Sequence, residues 1–189
     1  MKRFSVPALV LLVLLAGCSK RSANDYFSAA EREYKQARQA ADTLRDREQA
    51  ARLFEPALEN YLKVVQEFPN DPLAEHALFK IATIRNNEMR DPAQAVGYFT
   101  QYADRYPDTK EAPTATFLVA YLYHNDLHQL DSAGVWYKRF LDRFPDNQMA
   151  SSAQFELNSL GKSPDQLIPS DSITVGSKPG KTNARQHPM

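Results

Sequence analysis

Three aromatic–proline pairs stand at a fixed interval in this chain. They are Phe68-Pro69-Asn70, Tyr106-Pro107-Asp108 and Phe144-Pro145-Asp146, with 38 residues from Pro69 to Pro107 and 38 again to Pro145. A constant period of this size means one supersecondary unit used repeatedly, each copy burying its apolar face on the next. The columns between the prolines agree: Ala57, Ala95 and Ala133 align, then Tyr61, Phe99 and Tyr137, then Val64, Tyr102 and Phe140. Beyond each proline, Ala74, Ala112 and Ala150 coincide, followed by Ala77, Ala115 and Ala153. Phe79, Phe117 and Phe155 come next, then Ile81, Val119 and Leu157. Apolar positions in each block recur at i, i+3, i+4 and i+7, the period of an amphipathic helix, and no stretch alternates in twos. The expected fold is all-α, a solenoid of about three and a half helix pairs.

Punctuation places the helices at 73–88, 92–105, 111–125, 131–143 and 149–160. Asp91-Pro92 reads as an N-cap with proline at N1 and Gln94 at N3. Asp108 with Glu111 reads as a capping box for the following helix, and Asp131 as the cap of the one after. Each Phe/Tyr-Pro pair closes a helix, since the residue before proline resists the α region. Upstream, Phe27, Ala30, Tyr34, Ala37, Ala41 and Leu44 form a helical stripe, predicting one long helix over 25–45. Its partner runs from about Glu48 to Glu67, with the stripe Ala50, Leu53, Phe54, Ala57, Tyr61 and Val65 crossing Pro56. An interior proline costs about 3 kcal/mol, so Pro56 marks a kink or a local helix start. The last helix has no second-helix partner and sets Asn158 and Gly161 at packing positions, as a capping helix would.

The blocks resemble tetratricopeptide repeats. Ala95, Phe99 and Pro107 stand where that family has its second-helix alanine, aromatic and closing proline, as do Ala133, Tyr137 and Pro145. Ala82 and Ala120 occupy the small first-helix position where the two helices touch, preceded by Ile81 and Val119. The family repeat has 34 residues; this one is longer by about three after the proline and one between helices. The lengthened form, together with the leader described next, resembles the BamD-type outer-membrane assembly lipoproteins and also the CpoB-type repeats. The resemblance covers roughly residues 25–160.

Lys2 and Arg3 precede an apolar run from Val6 to Ala16. Eleven residues fall short of the roughly 20 needed to span a bilayer, but they suit a secretory signal. The run ends in Leu15-Ala16-Gly17-Cys18, which resembles the bacterial lipobox, and Cys18 is the only cysteine. The resemblance implies cleavage after Gly17 and lipidation of Cys18, leaving residues 1–17 as signal peptide and 18–24 as a lipidated linker. Each buried lipid methylene contributes about 0.8 kcal/mol, so two or three acyl chains hold durably. Ser19 replaces the aspartate that commonly retains such lipoproteins in the inner membrane, which implies the periplasmic face of the outer membrane. Loss of Lys2 and Arg3 leaves 21 basic against 23 acidic side chains, a net charge of −2.

Residues 161–189 hold four prolines, three glycines, four serines and no aromatic. Such a composition buries too little to order itself, so the segment reads as a tail, or as a tether or docking peptide. Lys162, Lys178, Lys181 and Arg185 outnumber its two acidic residues.

Composition narrows the chemistry. Balanced charge, 23 against 23, gives no footprint for nucleic acid, and one cysteine excludes a disulfide framework or a multi-thiolate site. Six glycines include no phosphate-cradling loop. His124 and His128, four apart and near Asp126 and Asp131, would share one helix face and could bind zinc in a metal-dependent hydrolase. Yet they fall where the repeat places a turn, and a solvated helix end is the plainer account. His76 reads as an exposed helix residue and His187 as part of the tail. No serine sits in a nucleophile elbow. Asp25, Glu31 and Glu33 read as solvated charges on polar helix faces. No enzyme activity, metal or cofactor is expected.

What remains is a binding scaffold. Tyr98 and Trp136 each precede a core aromatic by one residue and so point about 100° away from it, toward a seam or a contact surface. In tetratricopeptide folds the first helices line a concave groove. By that resemblance Lys80, Thr83, Asn87, Tyr121 and Asn125 are candidate groove residues. The expected partners are other envelope proteins or extended peptides. The expected role is that of a lipid-anchored periplasmic scaffold in outer-membrane β-barrel assembly, with a cell-envelope or cell-division accessory as the alternative.

Overall fold

A computed structural model of the chain describes residues 20–162 and Gln166, and among these it forms eight helices and no strand. They divide into two compact units at Arg90–Asp91. The first holds α1 (Ala23–Ala41), α2 (Arg47–Arg52), α3 (Glu55–Glu67) and α4 (Pro72–Asn87). Here α3 packs between α1 and α4, while α1 also touches α2 and α4. The second holds α5 (Pro92–Arg105), α6 (Ala112–Asn125), α7 (Leu130–Arg143) and α8 (Ala150–Ser159), each packed on the next. No helix among the described residues is long and apolar enough to cross a membrane. The expected leader, Cys18 and, apart from Gln166, the tail beyond Lys162 lie outside the described residues.

The period of 38 reappears as backbone geometry. Phe68, Tyr106 and Phe144 end α3, α5 and α7 with φ, ψ of −127°, 52°, then −126°, 55°, then −129°, 52°. Each leaves the α region as a residue before proline must, while its N–H still donates to the carbonyl four residues back. Asp91 caps α5 as expected, accepting from the Gln94 N–H at 3.1 Å and from the Gln94 side chain at 2.8 Å, with Pro92 at N1.

Other caps differ from expectation. No Asp108–Glu111 capping box forms: Glu111 is the N-cap of α6 without a side-chain bond, and Asp108 accepts from Arg143 at 3.1 Å instead. Gln129, not Asp131, is the N-cap of α7; Asp131 lies in the first turn, where the helix dipole favours an acid. The opening helix stops at Ala41 rather than continuing to 45, and Leu44 is 39% exposed. Asp46 is the reason. Its carboxylate accepts from the Glu48 and Gln49 N–H groups and starts α2 as a separate helix. The partner expected over 48–67 breaks at Leu53–Phe54 and restarts as α3 with Pro56 in its first turn, where a missing N–H costs nothing.

The aromatic columns form the core. Tyr61, Phe99 and Tyr137 are fully buried, as are Val64, Tyr102 and Phe140, and burying a side chain of this size contributes about 1.5–3 kcal/mol. Ala82, Ala95, Ala120 and Ala133 are also fully buried, the small residues that let helices approach. Phe117 on α6 meets Tyr137 and Phe140 of α7 edge-on, at 5.8 and 5.7 Å. Its equivalent Phe155 on α8 is 60% exposed, and near it Gln154 donates to Asn158 at 3.0 Å. A polar outward face of this kind suits a capping helix.

Candidate functional site

In the first unit α4 presents the candidate residues Lys80, Thr83 and Asn87. Lys80 is engaged by the protein itself: its Nζ lies 3.1 Å from Glu31 Oε1 and 5.4 Å above the Tyr34 ring, both on α1. Thr83 donates its hydroxyl to the Phe79 carbonyl at 2.8 Å, within its own helix. Asn87 is exposed, accepts from the Asn86 side chain, and lines a depression of about 490 Å³ with Arg47, Phe54, Glu88 and Arg90 among its walls. Arg90 closes that depression in the left-handed region, at φ 54°.

The sequence reading missed the network in which Lys80 takes part. Glu31 is no freely solvated charge, because Tyr61, fully buried on α3, donates to its Oε1 at 2.6 Å. Burial works to raise the Glu31 carboxyl, but the bonds from Tyr61 and Lys80 prevail and hold it below the usual carboxylate value. Burial, then the Glu31 charge, push the Tyr61 phenol far up. Beside this cluster Tyr34 and Arg38 both donate to Glu88 Oε1, at 3.0 and 2.9 Å. The separations are 54 and 50 residues, and no local motif encodes a pair so distant.

In the second unit Tyr121 and Asn125 share one face of α6, with the Asn125 amide donating to the Tyr121 carbonyl at 3.1 Å. Tyr121 is 40% exposed and stacks on Phe117, rings 6.4 Å apart and 20° from parallel. It is thus a partly exposed ring stacked on Phe117, and tyrosine is enriched at binding hot spots. Trp136 on α7 is half-buried against the core, with the Arg139 guanidinium 4.5 Å from its ring and Arg139 bonded in turn to Asp104. Tyr98 on α5 is half-buried and lines a shallow depression of about 350 Å³ with Gln94, Gly97 and Gln101. The candidates thus gather by helix: three on α4, two on α6, and single aromatics on α5 and α7.

The histidines separate. His124 lies in α6 with Nδ1 3.2 Å from Glu156 Oε2 of α8, and its ring meets Tyr137 edge-on at 6.4 Å. His128 stands beyond the helix end, exposed, with φ 53°. The two do not share a helix face, and no group of three or more His, Cys, Asp or Glu able to hold a metal occurs among the described residues. The Tyr137 hydroxyl is buried without a hydrogen-bond partner among the described residues. Burial raises its pKa, and the nearby Glu156 charge adds to that. His76 is exposed on α4, as expected.

Residues 76–109, from within α4 through α5 to the loop beyond it, match the family described as tetratricopeptide repeat. Ala82, Ala95, Phe99 and Pro107 all fall within the match. The chain therefore carries a tetratricopeptide repeat, a unit that generally mediates binding to other proteins or peptides. No curated protein matches the chain.

Proposed function

We propose that this protein is a lipid-anchored periplasmic scaffold that binds another envelope protein or an extended peptide, in the service of outer-membrane β-barrel assembly. The repeat matched over residues 76–109 carries the reading of a binding scaffold. The ring of Tyr121, supported by Phe117 beside the Asn125 amide, supplies a surface on which a partner could dock. Anchoring rests on Leu15-Ala16-Gly17-Cys18, and the assembly role on the resemblance of the lengthened repeats to BamD-type lipoproteins.

Affinity capture from detergent-solubilised membranes tests the role. Recovery of barrel-assembly subunits supports it, whereas recovery of cell-division or peptidoglycan proteins alone assigns the chain to the alternative. The anchor is tested by Cys18→Ser, which should abolish incorporation of labelled palmitate and release the protein from the outer-membrane fraction. Persistent label in that variant would overturn the lipobox reading.

A further inference from the structure

Between α7 and α8 runs an apolar groove of about 560 Å³, lined by Leu130, Gly134, Val135, Leu157 and Leu160, with Asp131 and Lys138 at its rim. Val135 stands 64% exposed and Leu130 39%. Both stand on the α7 wall, opposite Leu157 and Leu160 of α8, and apolar surface left open beside a groove is what an occupant would cover. We infer that the occupant is the chain's own segment 163–175, which folds back so that Leu167 and Ile168 fill the groove.

Four observations choose this segment. The first is where the chain leaves α8. Leu160 at φ −51°, ψ 123° and Gly161 at φ 72° form a turn closed by the Lys162 N–H donating to the Ser159 carbonyl at 3.0 Å. These are the angles of a type II turn, whose third residue must be glycine or nearly so, and such a turn reverses the chain. The second is proximity: a Cβ at Gly161 would stand 3.7 Å from Leu130 Cδ1, so the chain leaves α8 at the groove wall itself. The third is local sequence. Ser163-Pro164-Asp165-Gln166 has the pattern of an N-cap, proline at N1 and glutamine at N3, and Gln166 is in helical conformation. Leu167 and Ile168 stand five and six residues past Lys162 in the sequence, a reach of about 20 Å at most.

The fourth is charge. Residues 163–175 include Asp165 and Asp171 and no cation. The groove continues along α7 into a shelf lined by Lys138, Arg139, Asp142 and Arg143. Arg139 and Arg143 pair with Asp104 and Asp108, and Lys138 is the cation there with no ion pair among the described residues. After Lys162 the next basic residue of the tail is Lys178, beyond the segment 163–175.

A single thiol in the groove tests the inference. In the full-length chain with Cys18→Ser, Val135→Cys supplies the only cysteine. Its rate of maleimide labelling is compared with that of the same chain carrying Leu167→Asp and Ile168→Asp. An occupied groove makes labelling slower by a factor on the order of ten when the tail is intact, at every protein concentration. Equal rates in the two chains would overturn the inference. Protection that grows with protein concentration would overturn it as well, by giving the groove to a second copy. Because Val135 is largely exposed, matched circular dichroism spectra are expected for both chains.

Discussion

Tyr61 and Tyr137 occupy the same column of the repeat and are both fully buried, yet their hydroxyls meet opposite conditions. Tyr61 donates to Glu31 at 2.6 Å, while Tyr137 has no hydrogen-bond partner among the described residues. The same substitution should therefore have opposite signs at the two sites. A hydrogen bond to a charged group contributes about 1.5–3 kcal/mol to stability. The Glu31 side chain is 40% exposed, so water takes up part of that loss, and Tyr61→Phe should cost about 1 kcal/mol. A buried hydroxyl lacking a bond costs about 1–3 kcal/mol, so Tyr137→Phe should be neutral or stabilising by up to about 1 kcal/mol. Phe99, buried at the equivalent position in α5, shows that the column accepts phenylalanine. Urea unfolding followed by far-ultraviolet circular dichroism measures both changes. Fluorescence of the single tryptophan, Trp136, follows the second unit separately because it packs against that core. Equal losses at the two sites, or a loss of 1 kcal/mol at Tyr137, would refute this account of the column.

Ala120 is fully buried where α6 meets its neighbours, so Ala120→Phe should cost about 1–3 kcal/mol by overpacking, against almost nothing for Gln101→Phe on the exposed side of α5. Circular dichroism melts of the two variants check this, and equal losses would misplace the core. Gly97→Ala should stabilise by about 0.5–1 kcal/mol through helix propensity, because nothing lies within 4 Å of the new Cβ. Gly134→Ala should do the same, its Cβ reaching Leu160 Cδ1 at 3.4 Å; a loss of melting temperature in either variant would contradict these helix environments. Glu31 has a folded pKa below its ordinary value, so its contribution is complete above an unfolded carboxyl value of about 4.3 and is lost as pH falls through the lower folded one. Urea midpoints measured down the acid range should fall less steeply in Glu31→Gln than in the parent, and parallel curves would count against the Tyr61–Glu31–Lys80 cluster.

The fold was legible wherever the repeat restated it. Three copies of one pattern let Ala95, Phe99 and Pro107 vouch for Ala133, Tyr137 and Pro145, and the five helices read from residues 73–160 lie within one residue of their observed bounds at each end. The opening segment has no such second witness. Its stripe through Leu44 is helical in period, but Asp46 offers a cap that periodicity does not weigh, and α2 starts there. The second break falls beside Pro56, where the sequence marks a kink or a helix start. The Asp108–Glu111 motif failed because α6 starts later than its spacing requires, with Glu111 itself at the N-cap. Among the candidate residues, the exposure of Tyr121 could be read from the resemblance, which sets the first helices along a groove. Glu31 could not, since its character comes from Tyr61 and Lys80 on other helices.

The column of Phe79, Phe117 and Phe155 shows how position in an array changes what a residue does. Phe117 and Phe155 have the same place in their helices, but α7 covers the first and no described helix covers the second. Around Phe155 the sequence has changed to suit water: Gln154 stands where Thr116 is buried in α6, and Asn158 where α6 has Ala120. The opposite side of the same terminus has not changed in this way. There Leu157 and Leu160 of α8 still face Leu130 and Val135 of α7 as an apolar wall. Both leucines pack on the core that holds Tyr137 and Phe140, so a capping helix keeps this side apolar whatever its outer face becomes. The polar residues of α8 are thus confined to the face that no described helix covers, and the segment proposed for the groove would cover Leu130 and Val135 beside it.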